Sequence, residues 1–280
     1  MIDVIIPLLA MVALTASGLA LWRALLGPPR RPLVRLLRFG SLLLLAGLLI
    51  AWLTWRLSNA WTFQLFGGLV SRVETAEPIV ALTFDDGPSD RRTEEILAIL
   101  REHGARATFF VTGRALARKP ETGRRIVEEG HELGNHSFSH KRMVLKPLSF
   151  IHGEIERTDE QIRAVGYDGP IHFRSPGGKK LVALPYYLWR TGRLNIFWDV
   201  APEGYEGAVG DAELIAERVL AETRPGSIIL LHVMAEGRAP SRQALPAIIQ
   251  GLQQRGYRFV TVSELLAARQ PPKPTGLTDP

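Results

Sequence analysis

The sequence predicts an α/β chain: a distorted (β/α) barrel of about seven parallel strands, preceded by two transmembrane helices. Three observations carry this expectation. From Pro78 onward, short apolar runs alternate with amphipathic, charge-bearing stretches of helical length, the pattern of parallel strands joined by crossover helices. Polar residues recur just past those runs, and a parallel barrel gathers its carboxyl strand ends on one face. Ahead of Pro78 lie two apolar segments that lack the polar face of a soluble helix.

The first segment, 4–22, is uncharged and long enough to span a bilayer. Met1-Ile2-Asp3 supplies no positive region of the kind that opens a cleaved signal peptide, so a retained anchor is expected. The second, 39–55, is bracketed by Arg38 and Arg56 and carries Trp52 and Trp55 near one end, as an interfacial belt would. Between them Arg23, Arg30, Arg31, Arg35 and Arg38 occur with no acidic residue. The positive-inside rule holds that loop in the cytoplasm and puts everything after Arg56 on the far side.

The expected organisation is therefore a membrane anchor at 1–56, a juxtamembrane connector at 57–77, a catalytic domain at 78–269 and a disordered tail at 270–280. The connector carries an apolar patch from Trp61 to Phe66 that either packs under the following domain or meets the membrane surface.

Composition narrows the chemistry. The chain has 280 residues and no cysteine, which excludes disulfides, thiolate catalysis and cysteine metal ligands. Its 34 Lys and Arg against 28 Asp and Glu give +6, a balance that favours anionic partners. Because arginines flank the apolar segments, the membrane is the expected partner and nucleic acid is not. No glycine-rich dinucleotide fingerprint follows the first strand and no phosphate-binding loop motif occurs.

Strands are expected at 79–84, 107–112, 132–135, 171–174, 194–200, 227–232 and 258–262. Helices are expected at 93–103, 122–129, 148–165, 181–190, 211–223 and 243–255, with a last one from Ser263. The first strand ends on Asp85-Asp86-Gly87-Pro88, two adjacent carboxylates and a turn. Such neighbours repel unless a cation or a shared proton relieves them. His136 and His140 stand four residues apart, which on a helical turn puts both rings on one face to chelate one ion. With one carboxylate of the Asp pair they form a two-His, one-carboxylate set suited to zinc, iron or manganese. Arg174 follows the fourth strand, Asp199 lies near the end of the fifth, and His232 closes the sixth at the barrel mouth. His103, His131, His152 and His172 are read as structural.

Taken together, Thr83-Phe84-Asp85-Asp86-Gly87, His136-x-x-x-His140, Arg174-Ser175-Pro176-Gly177-Gly178 and Leu230-Leu231-His232 resemble the ordered motifs of the polysaccharide deacetylases, carbohydrate esterase family four, also called the NodB homology domain. The resemblance covers roughly 63–266. It implies an enzyme that removes N-acetyl groups from amino sugars with one divalent ion, zinc first, with iron, manganese, cobalt or nickel as alternatives. Carried across, it implies Asp85 as general base, Asp86, His136 and His140 as metal ligands, Arg174 orienting Asp85, and His232 as general acid. Gly177 would offer its backbone N–H to the oxyanion, with Leu231 and Tyr205 among the substrate contacts.

Two positions depart from the family pattern. Gly177 stands where an aromatic residue is usual. The fourth motif, usually Asp-Trp, falls where Gly204 and Tyr205 stand, so Asp199 or Glu203 is expected to tune the acid instead. The implied substrate is an N-acetylated glycan of the cell envelope or outside the cell, peptidoglycan or chitin-like. A lipid-linked sugar is the alternative substrate, and a non-catalytic glycan-binding protein the alternative of another class.

Overall fold

The computed structural model describes residues 32–204 and 210–270. The chain divides into two compact units, with the boundary between Arg56 and Leu57. In the first unit the described element is helix α1 (Pro32–Ser58), which opens on a proline where a missing N–H costs nothing. Its stretch Leu36–Ser58, 23 residues long and buried only at its last residue, Ser58, is the described segment long and apolar enough to cross a membrane. At 1.5 Å per residue it reaches about 35 Å, against about 30 Å for a hydrocarbon core. The expected span at 39–55 falls within it, and the expected span at 4–22 lies outside the described residues.

The second unit is a parallel-strand α/β domain. Strand β2 (Ile79–Asp86) pairs in parallel with β3 (Thr108–Val111), β6 (Ile228–Leu231) and β7 (Arg258–Val260), and β3 pairs in parallel with β4 (Glu132–Asn135). A second parallel pair joins β1 (Leu69–Val70) to β5 (Asn195–Ile196). Single parallel bridges connect Asn135 to Phe173, Phe173 to Asn195, and Val200 to Ile229.

The strand period of two decides which residues face which core. On β2, Val80, Leu82 and Phe84 enter the larger apolar cluster with Phe109, Val111, Leu133, Ile229 and Leu231. Ile79 and Ala81 enter a second cluster with Phe110, Ile228 and Leu230. Thr83 and Asp85 continue that second face, so it runs from apolar to acidic along one strand. In register, Ala81 lies opposite Ile228 and Thr83 opposite Leu230, which carries His232, two residues on, to the face of Asp85. His136 likewise continues the Gly134 face of β4, and Gly134 is opposite Phe110. A β-carbon at Gly134 would stand 2.5 Å from the Phe110 ring, so the aromatic side chain requires the glycine beside it.

Helices α2 (Asp90–Glu102), α4 (Pro120–Glu128), α5 (Leu148–Ala164), α6 (Ala183–Arg190), α7 (Ala212–Glu222), α8 (Ala239–Gln254) and α9 (Val262–Ala267) correspond to the expected helices, counting α3 as the short helix Gly113–Arg118. That short helix was not expected. Thr112 nucleates it by accepting the Ala115 N–H at 3.4 Å, a cap whose signal is too brief to register as periodicity. Helix α8 starts four residues before the expected Gln243 because Pro240 sits in its first turn, where proline fits. The expected strand at 171–174 reduces to bridges at Phe173, and that at 194–200 to β5 plus the bridge at Val200.

The connector patch, itself part of the second unit, touches the domain through some of its rings and leaves the rest open, with Trp61, Phe63, Leu65 and Phe66 all exposed. The Trp61 ring meets Trp198 edge-on at 4.8 Å, and Phe66 meets Tyr186 at 5.7 Å. Between them the buried Gln64 donates to the Phe66 carbonyl at 2.8 Å and accepts from Asn195 Nδ2 at 3.0 Å.

Candidate active site

Asp85 and Asp86 end β2, and their backbones part company there. Asp85 stays in the strand and is 2% exposed, whereas Asp86 takes φ 76 and turns outward before the cis Gly87-Pro88 bond. A positive φ at a non-glycine residue is uncommon and is tolerated best by Asp and Asn. Two carboxylates adjacent in sequence thereby enter different surroundings.

Arg174 is fully buried and is held on every side. Its Nη1 donates to Asp85 Oδ1 at 2.7 Å and to Thr83 Oγ1 at 2.8 Å, its Nε to the Ile196 carbonyl at 3.0 Å and its Nη2 to the Phe197 carbonyl at 3.3 Å. The guanidinium also lies 4.0 Å from the Phe110 ring centre. A buried cation of this kind persists only with such partners. Burial alone would push the Asp85 carboxyl up; the charge of Arg174, aided by His136 and His232, outweighs it and holds Asp85 below the ordinary aspartate range.

His136 and His140 meet Asp86 on one side of this pair. His140 Nε2 is 3.2 Å and His136 Nε2 3.9 Å from Asp86 Oδ1, and the ligand atoms of all three lie within 4.8 Å of one another. His136 Nδ1 sits 2.8 Å from the Arg174 carbonyl, which can only accept, so Nδ1 carries the proton and Nε2 keeps its lone pair. The His140 ring is aimed by a loop rather than by the helical turn expected from the spacing: Ser137 has φ 65 and His140 φ 57. Polar side chains stabilise that loop. Asn135 Oδ1 accepts the Ser137 N–H at 2.8 Å, Ser137 Oγ accepts the His140 N–H at 3.0 Å, and Glu154 binds the Ser139 N–H at 2.7 Å. A turn closed by local side-chain bonds lacks helical periodicity, which is why spacing misread it.

His232 lies one residue past β6. Glu203, in the short 3-10 turn Pro202–Gly204, places Oε2 2.5 Å from His232 Nδ1 and accepts the His232 backbone N–H at 3.0 Å. Ser241 Oγ donates to the other side of that carboxylate at 2.5 Å. Burial would lower the His232 pKa, but the Glu203 hydrogen bond and the charges of Asp85 and Glu203 raise it above the usual histidine value. Glu203 is correspondingly held below the ordinary glutamate range by His232 and Ser241 against the opposing effect of burial.

Asp199, the other residue expected to tune the acid, is elsewhere. It accepts from Ser227 Oγ at 3.0 Å and from the Ile228 N–H at 2.9 Å, at the start of β6. Four residues of strand separate Ile228 from His232, about 13 Å at the usual rise. Leu231, expected among the substrate contacts, is fully buried in the larger apolar cluster, because strand alternation turns it away from the His232 face. Tyr205 lies outside the described residues. Gly177, at φ 59, is exposed beside Gly178, whose N–H is taken by the Ser175 carbonyl at 2.9 Å. Sequence reasoning passed over Thr83, Asn135, Glu154 and Ser241. Thr83 was within reach, since it precedes Asp85 by two on a strand and so shares its face.

Comparison with known proteins identifies the family. The family model for polysaccharide deacetylase matches residues 72–192. A peptidoglycan-N-acetylglucosamine deacetylase of Bacillus cereus is 33% identical over 210 residues, 71% of this chain and 93% of that protein. The peptidoglycan-N-acetylmuramic acid deacetylase PdaA of Bacillus subtilis is 31% identical over 201 residues, 70% of this chain and 74% of that one. Among solved structures, the peptidoglycan N-acetylglucosamine deacetylase Bc1960 superposes with a TM-score of 0.67 at 29% identity, covering 72% of this chain and 95% of its own. With a relative 33% identical over 93% of its own length and the family model matched across residues 72–192, the chain belongs to the polysaccharide deacetylase family.

Proposed function

We propose that this protein is a membrane-anchored N-deacetylase that hydrolyses the acetamide of N-acetylated amino sugars in a cell-envelope glycan, peptidoglycan foremost. The observation that carries the reading is the convergence, at one end of the parallel strands, of a carboxylate paired to a buried arginine, a histidine paired to a carboxylate, and a compact Asp/His/His set. Its test is acetate release from peptidoglycan and from N-acetylglucosamine oligomers by the full chain in detergent, with a lipid-linked sugar assayed alongside. No acetate from any of the three substrates would overturn it, and release from the lipid-linked substrate alone would move the substrate to the alternative.

Asp86, His136 and His140 fit a divalent ion: one carboxylate oxygen and two imidazole lone pairs, close enough to share it, with the His136 tautomer already set by Arg174. Zinc suits such a donor set best, with iron, manganese, cobalt or nickel as alternatives. When bound, such an ion supplies Lewis acidity at the amide carbonyl and acidifies water.

The remaining chemistry belongs to the chain. Asp85, kept ionised by Arg174, takes the proton of the attacking water as its oxygen forms the new bond to the carbonyl carbon. The Gly177 N–H donates to the carbonyl oxygen as negative charge gathers there. His232, kept as imidazolium by Glu203, gives a proton to the amine nitrogen as the C–N bond breaks, leaving acetate and a free amino sugar. Glu203 acts through His232 and substitutes for the family's usual acid-tuning aspartate.

The same reading treats the circuit of pairings from β2 through β3, β4, Phe173, β5 and Val200 to β6 as a distorted (β/α) barrel. It retains the organisation 1–56 anchor, 57–77 connector, 78–269 catalytic domain and 270–280 tail. The chain would cross the membrane twice, at 4–22 and within Leu36–Ser58, with the arginine-rich loop in the cytoplasm and the catalytic domain outside.

A further inference from the structure

A cavity of about 590 Å³ opens beside the connector, apart from the Asp/His/His set, with Trp61, Trp198, Arg72, Glu74, Asp199 and Arg224 among its walls. That volume falls in the usual range of small-ligand sites, about 300–1,000 Å³. Trp61 is 51% exposed although its ring is fixed edge-on against Trp198 at 4.8 Å and Phe197 at 6.0 Å. The backbone beneath it is pinned as well. Lys180 Nζ donates to the Ala60 carbonyl while lying 4.4 Å from the Phe197 ring, Lys179 Nζ donates to Asn59 Oδ1, and the Lys180 N–H reaches the Ser58 carbonyl at 3.4 Å. The result is an indole fixed in place at the cavity wall with about half of its surface open.

The charged walls say what kind of ligand that is. Arg72 pairs with Glu74 and also donates to the Pro225 carbonyl at 3.1 Å, and Arg224 Nε stands 3.7 Å from Asp199. Two guanidinium groups and two carboxylates balance, so the cavity has no net charge to attract an anion. Side-by-side donor forks and acceptor oxygens match the vicinal hydroxyls of a sugar, and an indole face matches the apolar C–H face of its ring. Trp198 also links the cavity to the deacetylation site: its ring is 5.4 Å from the Arg174 guanidinium, and its far edge lies 3.5 Å from where a β-carbon would project from Gly178.

We propose that this cavity is a second saccharide subsite that holds an uncharged hexosamine unit of a glycan chain, with Trp61 of the juxtamembrane connector as its stacking platform. The proposal rests on the deacetylase reading for its substrate class. It gives the connector a role in chain-length preference: polymeric substrates engage it, and a disaccharide is too short to reach it while occupying the reacting position.

The test is a comparison of N-acetylglucosamine disaccharide and hexasaccharide on the full chain in detergent. Wild type should show a KM for the hexasaccharide about tenfold below that for the disaccharide, and Trp61→Ala should bring the two together through KM rather than kcat. Arg224→Ala, at an exposed side chain, provides a second variant that does not disturb the connector and should raise the hexasaccharide KM about threefold. Tryptophan fluorescence on Asp85→Asn protein titrated with the hexasaccharide reads binding without turnover, and Trp61→Ala in that background should abolish the saturable change. Equal length dependence in wild type and both variants, with acetate released, would overturn the subsite alone. Saturable binding without acetate release from any substrate would overturn the deacetylase reading and leave the subsite standing.

Discussion

Glu203 Oε2 lies 2.5 Å from His232 Nδ1, and the same carboxylate accepts the backbone N–H of that histidine at 3.0 Å. A carboxylate can only accept while ionised, so His232 donates from Nδ1 and presents Nε2 to its other neighbours. The pair is thus set in charge and in tautomer by a residue 29 positions away in sequence.

This pairing predicts a pH profile. Because the His232 pKa is raised, its protonated form persists above the ordinary histidine value of 6.5 and is lost as pH climbs through the raised one. Glu203→Gln removes the anion, so the alkaline limb of kcat/KM should move toward lower pH by about one unit, with a loss of about tenfold at neutral pH. An unchanged limb would show that another group sets it.

Asp85 and Arg174 should separate chemistry from stability. Asp85→Asn is expected to lower kcat by about 10²–10⁴-fold while the protein still takes up metal, as measured by elemental analysis. Arg174→Met leaves the buried Asp85 carboxylate without its cation and should destabilise by about 3–5 kcal/mol, read as a fall in the thermal midpoint.

Metal dependence should follow the Asp86, His136 and His140 set. Chelation should remove acetate release and readdition of zinc should restore it, while His136→Ala and His140→Ala should each purify with less than stoichiometric metal. Full metal content in both variants would relocate the site.

Gly226 offers a test of the fold. At φ +80, a β-carbon there would stand 1.8 Å from the Val73 carbonyl oxygen, and this is backbone that cannot rotate aside. Gly226→Ala should therefore cost about 3 kcal/mol from strain and overlap combined. A thermal midpoint equal to wild type would contradict the close approach of those segments.

Topology can be read directly because the chain has no cysteine. Single substitutions Gly27→Cys and Gly210→Cys should react oppositely with a membrane-impermeant maleimide on intact cells: the second labelled, the first protected until the membrane is opened. Labelling of both, or of neither, would refute the two-pass arrangement.

Local pattern explains what was legible without a structure. The alternation of apolar strands and amphipathic helices is a short-range signal, and so is the acid pair at the end of 79–86, where period two sends Asp85 inward along the face of Ile79, Ala81 and Thr83. The histidines at 136 and 140 stood out by type and order, although the loop that aims His140 is stitched by Asn135, Ser137 and Glu154 and has no period to read. Helix α3 escaped notice for the same reason.

What only the tertiary structure decided is which distant groups meet. Asp199 and Glu203 are four residues apart in the same irregular stretch, and both carry the carboxylate that His232 needs. Their rank depends on the level at which that stretch crosses β6: Asp199 caps its beginning at Ile228, and the 3-10 turn lifts Glu203 to its end. The connector follows the same logic. Its apolar letters showed that Trp61 and Phe66 would seek partners, but that each would find one ring, Trp198 and Tyr186, and stay exposed beyond it was decided by residues more than a hundred positions away along the chain. Sequence determines short-range geometry because strand and turn preferences are local, whereas long-range pairings emerge only once the whole sheet has closed around them.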